Sequence, residues 1–281
     1  MILIAESGST KTEWCLVDRM GIVAHFLSDG INPFFQTRKE ISRLIRIQLP
    51  QIFFRAKFNA IYFYGAGCSS LEKKGIVKAS FEAQFKTPTV IESDLLGSAR
   101  ALFQNKAGIA CILGTGSNSC FYDGTDIIKN IKPLGYILGD EGSGASMGKA
   151  FVSDCLKGLA PPELEKLFYE KYKVTPDEII DYVYTKPFPN RLLSVMSYFL
   201  YDYPDNPYVQ NLVYHNLRSF FERNILQYDY TRYPIRFVGT VANMYAGIIR
   251  EIAGELDIHI DTIIENPIKG LIEYYKNEGY L

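Results

Sequence analysis

A run of small and hydroxyl-bearing residues with one lysine follows the first apolar segment of the chain. Residues 5–12 read AESGSTKT, entered from MILI and left through EWCLVD. Small residues allow a backbone to approach a ligand closely, and the N–H groups of a turn can bind phosphate oxygens. This composition therefore predicts a phosphate-binding turn.

Two familiar phosphate motifs do not account for this turn. A P-loop, GxxxxGK[ST], ends in a helix whose N-terminus faces the phosphates, but here Lys11 and Thr12 run into EWCLV, which is typical of a strand. A second candidate, GTGSNS at 114–119, lacks the last glycine of the dinucleotide fingerprint and also leads into a predicted strand, CFYDG. The sequence excludes both motifs.

The two turns occupy equivalent places in two similar segments. Each follows an apolar strand, contains Gly, Ser and Thr, and is followed by a returning strand that ends near Asp18 in the first case and Asp123 in the second. Such self-similarity predicts a duplicated domain. We expect the two turns to face each other across a cleft and to hold the phosphates of one nucleotide.

The rest of the pattern predicts an α/β fold. An opening antiparallel meander, MILIAES, KTEWCLVD and GIVAHFL, is followed by strands NAIYFYGAG and TPTVIES alternating with helices TRKEISRLIRIQLPQIF, SLEKKGIVKASFEAQF and DLLGSARALFQ. From about Ser143 the pattern becomes helical, and several helices begin at proline. PIRFVGTVANMYAGIIREIAGEL predicts strand, glycine turn and helix, and ENPIKGLIEYYKN a final helix.

Composition excludes several classes of protein. The formal charge is −1, from 30 basic and 31 acidic residues, so the chain has no positive field for nucleic acid. No apolar run reaches the roughly 20 residues that span a bilayer, and the first residues lack the basic region of a signal peptide. The five cysteines contain no CxxC pair, which argues against zinc knuckles and disulfide frameworks. We expect a cytoplasmic protein.

Four motifs in order make the sequence resemble the actin-like ATPase superfamily, which includes sugar kinases and Hsp70. Within it, the sequence resembles the N-acetylglucosamine kinase and BadF/BadG type. The motifs are a first phosphate motif at 6–12, a second at Gly114-Thr115-Gly116-Ser117-Asn118, the sugar-kinase loop GDEGS at 139–143, and an adenosine motif at 237–242. The resemblance runs from residue 2 to about residue 271.

The resemblance implies a duplicated ribonuclease H-like fold with a nucleotide cleft. It implies an N-terminal domain at 1–105, joined by the C-terminal helix at 265–281, and a C-terminal domain at 106–264 with a helical insertion. It implies ATP and Mg²⁺ as cofactors, with Glu6 near the magnesium, in some cases through water. The implied nucleotide-binding residues are Glu6, Gly8, Ser9, Thr10, Lys11, Thr12, Gly114, Thr115, Gly116, Ser117, Gly239 and Thr240.

The sequence departs from the family pattern at three positions in these motifs. Glu6 replaces an aspartate, and Ser7 and Thr240 replace glycines. The longer carboxylate alters the reach toward the metal, and the other two changes affect contacts to the nucleotide.

The resemblance also implies a catalytic base and sugar ligands. Asp94 matches the family's base, which accepts the proton of the attacking hydroxyl, and Asn32, Asp140 and Glu141 match positions that touch the sugar. Each has a structural alternative: Asp94 or Ser93 caps a helix, Asn32 forms a turn before proline, and Asp140 with Glu141 caps the next helix. His25, His215 and His259 form no pattern with nearby ligands in the sequence, and we assign them no role.

The predicted activity is phosphorylation of a sugar hydroxyl, with N-acetylglucosamine or glucosamine as first candidates. Two alternatives remain: an ATP-driven activator of BadF type, which shares an iron–sulfur cluster between subunits, and a sugar- or nucleotide-binding protein that has lost catalysis. The expected partner is a small sugar, without nucleic acid or membrane. A homodimer is left open.

Overall fold

The structure, a computed structural model, describes every residue from Met1 to Leu281. The chain forms two compact units. Unit 1 contains Met1–Ala110, Cys120–Asn130 and Asn266–Leu281, and unit 2 contains Cys111–Ser119 and Ile131–Glu265. No helix combines the length and apolar character needed to cross a bilayer. The predicted boundaries at residues 105 and 264 stay a prediction.

The first sheet is mixed and has five strands in the order β3-β2-β1-β4-β5. Strands β1, β2 and β3 form the predicted antiparallel meander, whereas β4 and β5 run parallel to β1. Because β1 is central and parallel to β4, its carboxyl end lies beside that of β4, the edge where α/β folds bind ligands. The strands are β1 (Ile2–Ser7), β2 (Lys11–Asp18), β3 (Gly21–Asp29), β4 (Ile61–Gly65) and β5 (Thr89–Ser93).

Helices cover both faces of this sheet. On one face, Trp14 stacks on Phe81 of a helix at a ring-centroid distance of 5.5 Å, within a core that includes Leu3 and Phe63. Full burial of each such side chain contributes about 1.5–3 kcal/mol. The helices of unit 1, numbered along the chain, are α1 (Arg38–Gln48), α2 (Gln51–Arg55), α3 (Leu71–Phe85), α4 (Asp94–Phe103) and α13 (Ile268–Asn277).

The opposite face of the first sheet carries α4 and the C-terminal helix α13. Ile2 and Ile4 of β1 form a buried cluster there with Leu271 and Ile272 of α13. The Tyr64 and Tyr275 hydroxyls are 2.6 Å apart, and Arg100 donates to Tyr64 Oη at 3.0 Å. The C-terminal helix is therefore part of the core of unit 1.

The second sheet repeats the strand order of the first. Its order is β10-β9-β6-β7-β8, so β6 takes the central place of β1, and β7 and β8 take those of β2 and β3. This repetition confirms the duplicated α/β architecture that the two similar segments predict. The strands are β6 (Gly108–Leu113), β7 (Ser117–Tyr122), β8 (Ile127–Ile131), β9 (Ile235–Val238) and β10 (Ile260–Ile264).

Unit 2 contains the predicted helix-rich segment. Proline occupies the first turn of α7 to α10, as predicted, and the Thr175–Glu178 capping box begins α8. The helices are α5 (Gly135–Leu138), α6 (Gly144–Leu156), α7 (Pro162–Tyr172), α8 (Pro176–Thr185), α9 (Pro189–Tyr201), α10 (Pro207–Arg223), α11 (Thr240–Met244) and α12 (Ala246–Glu255), with a 3₁₀ turn at Ile225–Gln227.

The fold differs from the sequence prediction in the division of two predicted helices and in two further strands, β8 and β10. The segment TRKEISRLIRIQLPQIF forms two helices because Pro50 restricts Leu49 to an extended conformation and ends α1. Strand β10 was not predicted, since DTII offers only a short, half-buried pattern. It pairs in parallel with β9 and completes the second sheet.

Candidate active site

The first predicted phosphate turn joins β1 to β2, and the Ser7 side chain stabilises it through hydrogen bonds. The Ser7 hydroxyl lies 2.7 Å from Thr12 Oγ1 and accepts a hydrogen bond from the Ile31 N–H at 2.8 Å. Both hydroxyls belong to fully buried residues. Ser7, the residue that replaces a family glycine, therefore links the turn to the segment that carries Asn32.

The upper side of this turn is open. A Cβ atom built on Gly8 would meet no atom within 4 Å, whereas one on Gly30 would lie 2.6 Å from the Ser9 carbonyl oxygen. Gly30 thus permits the close approach of the two segments, and its N–H donates to Thr10 O at 2.9 Å. Thr10 and Lys11 are exposed beside Gly8. The turn leaves room for a ligand above Gly8.

Asp94 lies at the first position of α4, directly after β5. The cap of the helix is the neighbouring Ser93, whose Oγ accepts from the Leu96 N–H at 3.2 Å, while Asp94 Oδ1 accepts from the Leu95 N–H at 2.9 Å. Burial raises the pKa of Asp94 to about 6, and the hydrogen bonds from the backbone oppose this increase. At neutral pH the carboxylate is ionised with a basicity suited to a general base.

Glu6 lies at the carboxyl end of β1, close enough to Asp94 for the two carboxyl groups to interact. Its pKa is raised to about 8, first by burial and then by the negative charges of Asp94 and Glu13, while Lys11 lowers it. Glu13 is the register partner of Glu6 on β2. Three carboxyl groups therefore lie close together at this end of unit 1, and the raised pKa leaves Glu6 mostly protonated at neutral pH.

Asn32 is buried in the segment that follows β3. Its Oδ1 accepts from the Phe34 N–H at 3.0 Å, which is the turn geometry expected of an asparagine before proline. A Cβ on Gly67, which has φ +79°, would lie 2.3 Å from Asn32 Oδ1. Gly67 is thus required by both its backbone conformation and its contact with Asn32.

The second predicted phosphate turn, in unit 2, is held by the N-terminus of α6. Gly144 and Ala145 donate their N–H groups to the carbonyl oxygens of Gly114 and Thr115 at 2.9 and 3.0 Å. A Cβ on Gly114 would meet nothing within 4 Å, as at Gly8 of the first turn. The two turns therefore share an open glycine position.

Asp140 faces the second turn. A Cβ on Gly116 would lie 3.1 Å from Asp140 Oδ2, and the Ser117 N–H donates to Asp140 Oδ1 over 3.5 Å. The Asp140 backbone has φ +59°, an uncommon conformation for a residue other than glycine. The carboxylate of this loop residue consequently supports the turn from the side.

Helix α10 holds the GDEGS loop. Asn216 accepts from the Gly142 N–H at 2.8 Å and donates to Ser146 Oγ at 3.0 Å, and Arg223 forms an ion pair with Glu141 at 3.1 Å. Ser143 caps α6 and accepts from the Ser146 N–H at 3.1 Å, so the cap is Ser143 rather than Asp140 or Glu141. Glu141 is half-buried and Asp140 buried, so Glu141 is the more accessible carboxylate.

The predicted adenosine motif lies next to the second phosphate turn in unit 2. A Cβ on Gly239, whose φ is +129°, would lie 2.1 Å from the Leu113 carbonyl oxygen at the end of β6. Thr240 follows as the first residue of α11 and is half-buried. The structure therefore brings the second turn, the GDEGS loop and the adenosine motif together in unit 2.

Two sets of contacts in and near the candidate site were not predicted from the sequence. Asn216 and Arg223 lie seven residues apart on α10 and therefore on one side of the helix. Two polar residues at this spacing were the feature of the sequence that could have indicated them. His25, to which we assign no role from the sequence, has its Nε2 2.8 Å from Glu13 Oε1. The sequence could not reveal this contact, because it depends on the register between β2 and β3.

Comparisons with known proteins give matches among solved structures. No protein-family model matches the sequence, and no curated protein matches it. A protein from Porphyromonas gingivalis, provisionally named an N-acetylglucosamine kinase, is 42% identical, with a TM-score of 0.94 over 99% of this chain and 100% of that chain.

Two more distant structures share the fold. One, from Chromobacterium violaceum, carries the same provisional name and is 16% identical, with a TM-score of 0.72 over 97% of this chain and 98% of that chain. The other is a ROK family glucokinase from Streptomyces griseus in complex with glucose and AMPPNP, 15% identical, with a TM-score of 0.64 over 98% of both chains.

Proposed function

The chain belongs to the N-acetylglucosamine kinase family of actin-like ATPases, and from this premise we propose that it transfers the γ-phosphoryl group of ATP to a hydroxyl of an amino sugar. N-Acetylglucosamine and glucosamine are the first candidates, because the 42% identical relative carries the name of an N-acetylglucosamine kinase. The ROK glucokinase binds the ATP analogue AMPPNP, which supports ATP as the donor.

The observation that carries the proposal is the pair of carboxyl groups at the end of β1 and directly after β5. Asp94, with a pKa of about 6, is ionised at neutral pH and accepts the proton of the sugar hydroxyl as that oxygen attacks phosphorus. Its backbone hydrogen bond from Leu95 holds one oxygen in place. The other oxygen is the one we assign to the substrate.

The residues fit a bound Mg²⁺. Carboxylate oxygens are the ligands that Mg²⁺ prefers, and a cation near Glu6 and Asp94 would offset the burial and the charge repulsion that raise the pKa of Glu6. When bound, Mg²⁺ would neutralise the charge of the transferring phosphoryl group. Glu6 would lose its proton on binding the metal.

Backbone groups and polar side chains bind the substrates in this proposal. The turns at Gly8–Thr12 and Gly114–Ser117 direct N–H groups toward phosphate oxygens, and Gly239 and Thr240 contact the adenosine. The Asn32 amide and the Glu141 carboxylate bind sugar hydroxyls, the amide as donor and the carboxylate as acceptor. Asp140 supports the second turn, through its contacts at Gly116 and Ser117.

The test is ADP release from Mg-ATP with a panel of hexoses, hexosamines and N-acetylhexosamines. We compare the wild type with Asp94→Asn and with Asp177→Asn, an exposed aspartate in the first turn of α8. Sugar-dependent turnover should fall by about 10²–10⁴-fold in Asp94→Asn only. Thermal shift with Mg-ATP verifies that each variant still folds and binds nucleotide.

The opposite result would favour the BadF-type activator. Slow ADP release that no sugar accelerates, and that survives Asp94→Asn, would exclude the kinase proposal. The structure gives this alternative little support, since all five cysteines are buried and the single group of three potential metal ligands contains one cysteine. An iron–sulfur cluster requires several cysteine ligands.

A further inference from the structure

Three side chains of different ligand types converge on the hairpin formed by β2 and β3. Glu13 and Cys15 are two residues apart on β2 and therefore share one face of the sheet, and His25 on β3 is the register partner of Cys15. The ligand atoms of the three side chains all lie within 4.8 Å of one another. None of the three belongs to the phosphate turns, the sugar ligands or the catalytic base proposed above.

We propose that Glu13, Cys15 and His25 form a binding site for one thiophilic divalent cation of the Zn²⁺ class. Thiolate, imidazole and carboxylate are the three ligand types that Zn²⁺ takes in proteins, at about 2.3, 2.0–2.1 and 2.0–2.2 Å. Four-coordinate bonds of these lengths separate neighbouring ligand atoms by roughly 3.3–3.7 Å. The 2.8 Å between His25 Nε2 and Glu13 Oε1 lies below this range and the other distances do not exceed 4.8 Å, so binding requires the side chains to move by up to roughly 1 Å.

The three ligand types disfavour Mg²⁺, the cation proposed to assist phosphoryl transfer. Mg²⁺ prefers an octahedron of oxygen ligands, whereas a thiolate and an imidazole select softer metals. The site is therefore distinct from the carboxylate pair of Glu6 and Asp94, although Glu13 is the register partner of Glu6. This inference does not depend on the proposed kinase activity.

The proposed site is accessible from solvent on the side of β3. Strand β3 is the edge of the first sheet, and the His25 side chain is 46% exposed, whereas that of Glu13 is 12% exposed and Cys15 is fully buried. The cation would enter from the His25 side and reach the thiol last. Three protein ligands leave the fourth position to water on the open edge, the arrangement of zinc sites with an accessible coordination position.

The probe is Co²⁺ added to the metal-free protein, followed by competition with Zn²⁺. A thiolate-to-cobalt charge-transfer band in the near ultraviolet, together with intense visible bands of four-coordinate Co²⁺, should saturate at one equivalent and disappear when Zn²⁺ is added. The charge-transfer band identifies the thiolate, a ligand that non-specific surface binding does not supply.

Matched substitutions assign the ligands. Cys15→Ser should abolish the charge-transfer band, and Glu13→Gln and His25→Gln should weaken Co²⁺ binding by at least about tenfold, since even loss of a group that only orients a ligand typically costs 10–100-fold. The controls are Cys155→Ser, a buried thiol on α6, and His215→Gln, an exposed histidine on α10. Both should bind Co²⁺ like the wild type.

The His25→Gln variant allows the test to be made even if Cys15→Ser does not fold. If Cys15→Ser does not fold because its side chain is in the core, His25→Gln, which changes a side chain that reaches solvent, still reports on the site. A charge-transfer band that persists unchanged in His25→Gln would overturn the proposal. So would the absence of any charge-transfer band in the wild type, or equal loss of the band in the two control variants.

Discussion

At the residue scale, Asp94 combines partial burial with a position at the start of a helix. Burial raises its pKa to about 6, and below that pH the carboxyl group is protonated and cannot accept the proton of the sugar hydroxyl. We therefore expect kcat/KM for the sugar to decrease roughly tenfold for each pH unit below 6 and to level off above it. A pH–rate profile measured at sub-saturating sugar and Mg-ATP, which reports on the free enzyme, checks this.

If kcat/KM stayed level through pH 6, the role of Asp94 as the base with a raised pKa would be contradicted. A limb that remains at the same pH in Asp94→Glu would likewise assign the titration to another group. The exposed Asp177→Asn variant should reproduce the wild-type profile.

Glu6 provides a prediction about stability in the absence of metal. Its pKa is about 8 in the folded protein and near 4.5 in the unfolded chain, so between these values the folded state retains a proton that the unfolded state has lost. The free energy of unfolding contributed by Glu6 therefore decreases as pH rises from about 4.5 to 8 and changes no further above 8.

The measurement is the melting temperature of the wild type and Glu6→Gln between pH 5.5 and 8.5, in chelator. The decrease in melting temperature with pH should be smaller in Glu6→Gln, because the glutamine does not ionise. Glu251→Gln, an exposed position on α12, should follow the wild type. Parallel curves for all three proteins would contradict the assignment of a raised pKa to Glu6.

At the element scale, the end of β6 and the start of α11 approach so closely that only glycine fits at position 239. A Cβ there would lie 2.1 Å from Leu113 O, on a residue with φ +129°. We expect Gly239→Ala to lower the free energy of unfolding by at least about 2 kcal/mol and to weaken Mg-ATP binding. Urea denaturation and nucleotide titration measure the two effects.

Gly75 provides the matched control. It lies inside α3, and a Cβ added there would have no atom within 4 Å, so Gly75→Ala should stabilise the protein by about 0.5–1 kcal/mol through helix propensity. Equal effects of the two substitutions would show that the steric argument at Gly239 is wrong.

At the scale of the whole molecule, the chain leaves unit 1 after Asn130 and returns to it only at Asn266. Helix α13 buries Ile268, Leu271, Ile272 and Tyr275, whose burial contributes together roughly 6–12 kcal/mol. This is comparable with the roughly 5–15 kcal/mol that stabilise a typical protein. Removal of Asn266–Leu281 should therefore unfold unit 1.

Hydrogen exchange measures this outcome segment by segment. Peptides from β1 and β4 should lose protection in the truncated protein. Removal of Gly279–Leu281 alone, which takes away only peripheral contacts of Tyr280 and Leu281 with this core, should preserve most of it. Retained protection of β1 after the larger truncation would contradict the role of α13 in the core.

Much of the architecture could be predicted from the sequence because its signals are local. Alternation of apolar residues, turn residues at 8–10 and 114–116, and prolines at helix starts indicated the strands, the helices and their repetition, which the two equivalent sheets confirm. Four motifs in order indicated the family, which the relative of 42% identity confirms. The sequence by itself thus determined the fold class and the membership of the chain in a kinase family.

Only the tertiary structure decided which side chains act together. The Ser7–Ile31 contact joins residues 24 positions apart, and the Glu13–His25 contact depends on a strand register in which a shift of one residue would turn the side chains to opposite faces. The pKa values of Glu6 and Asp94 likewise depend on burial, which local sequence does not specify. Local preferences are encoded residue by residue, whereas proximity and desolvation arise only when the complete chain is packed.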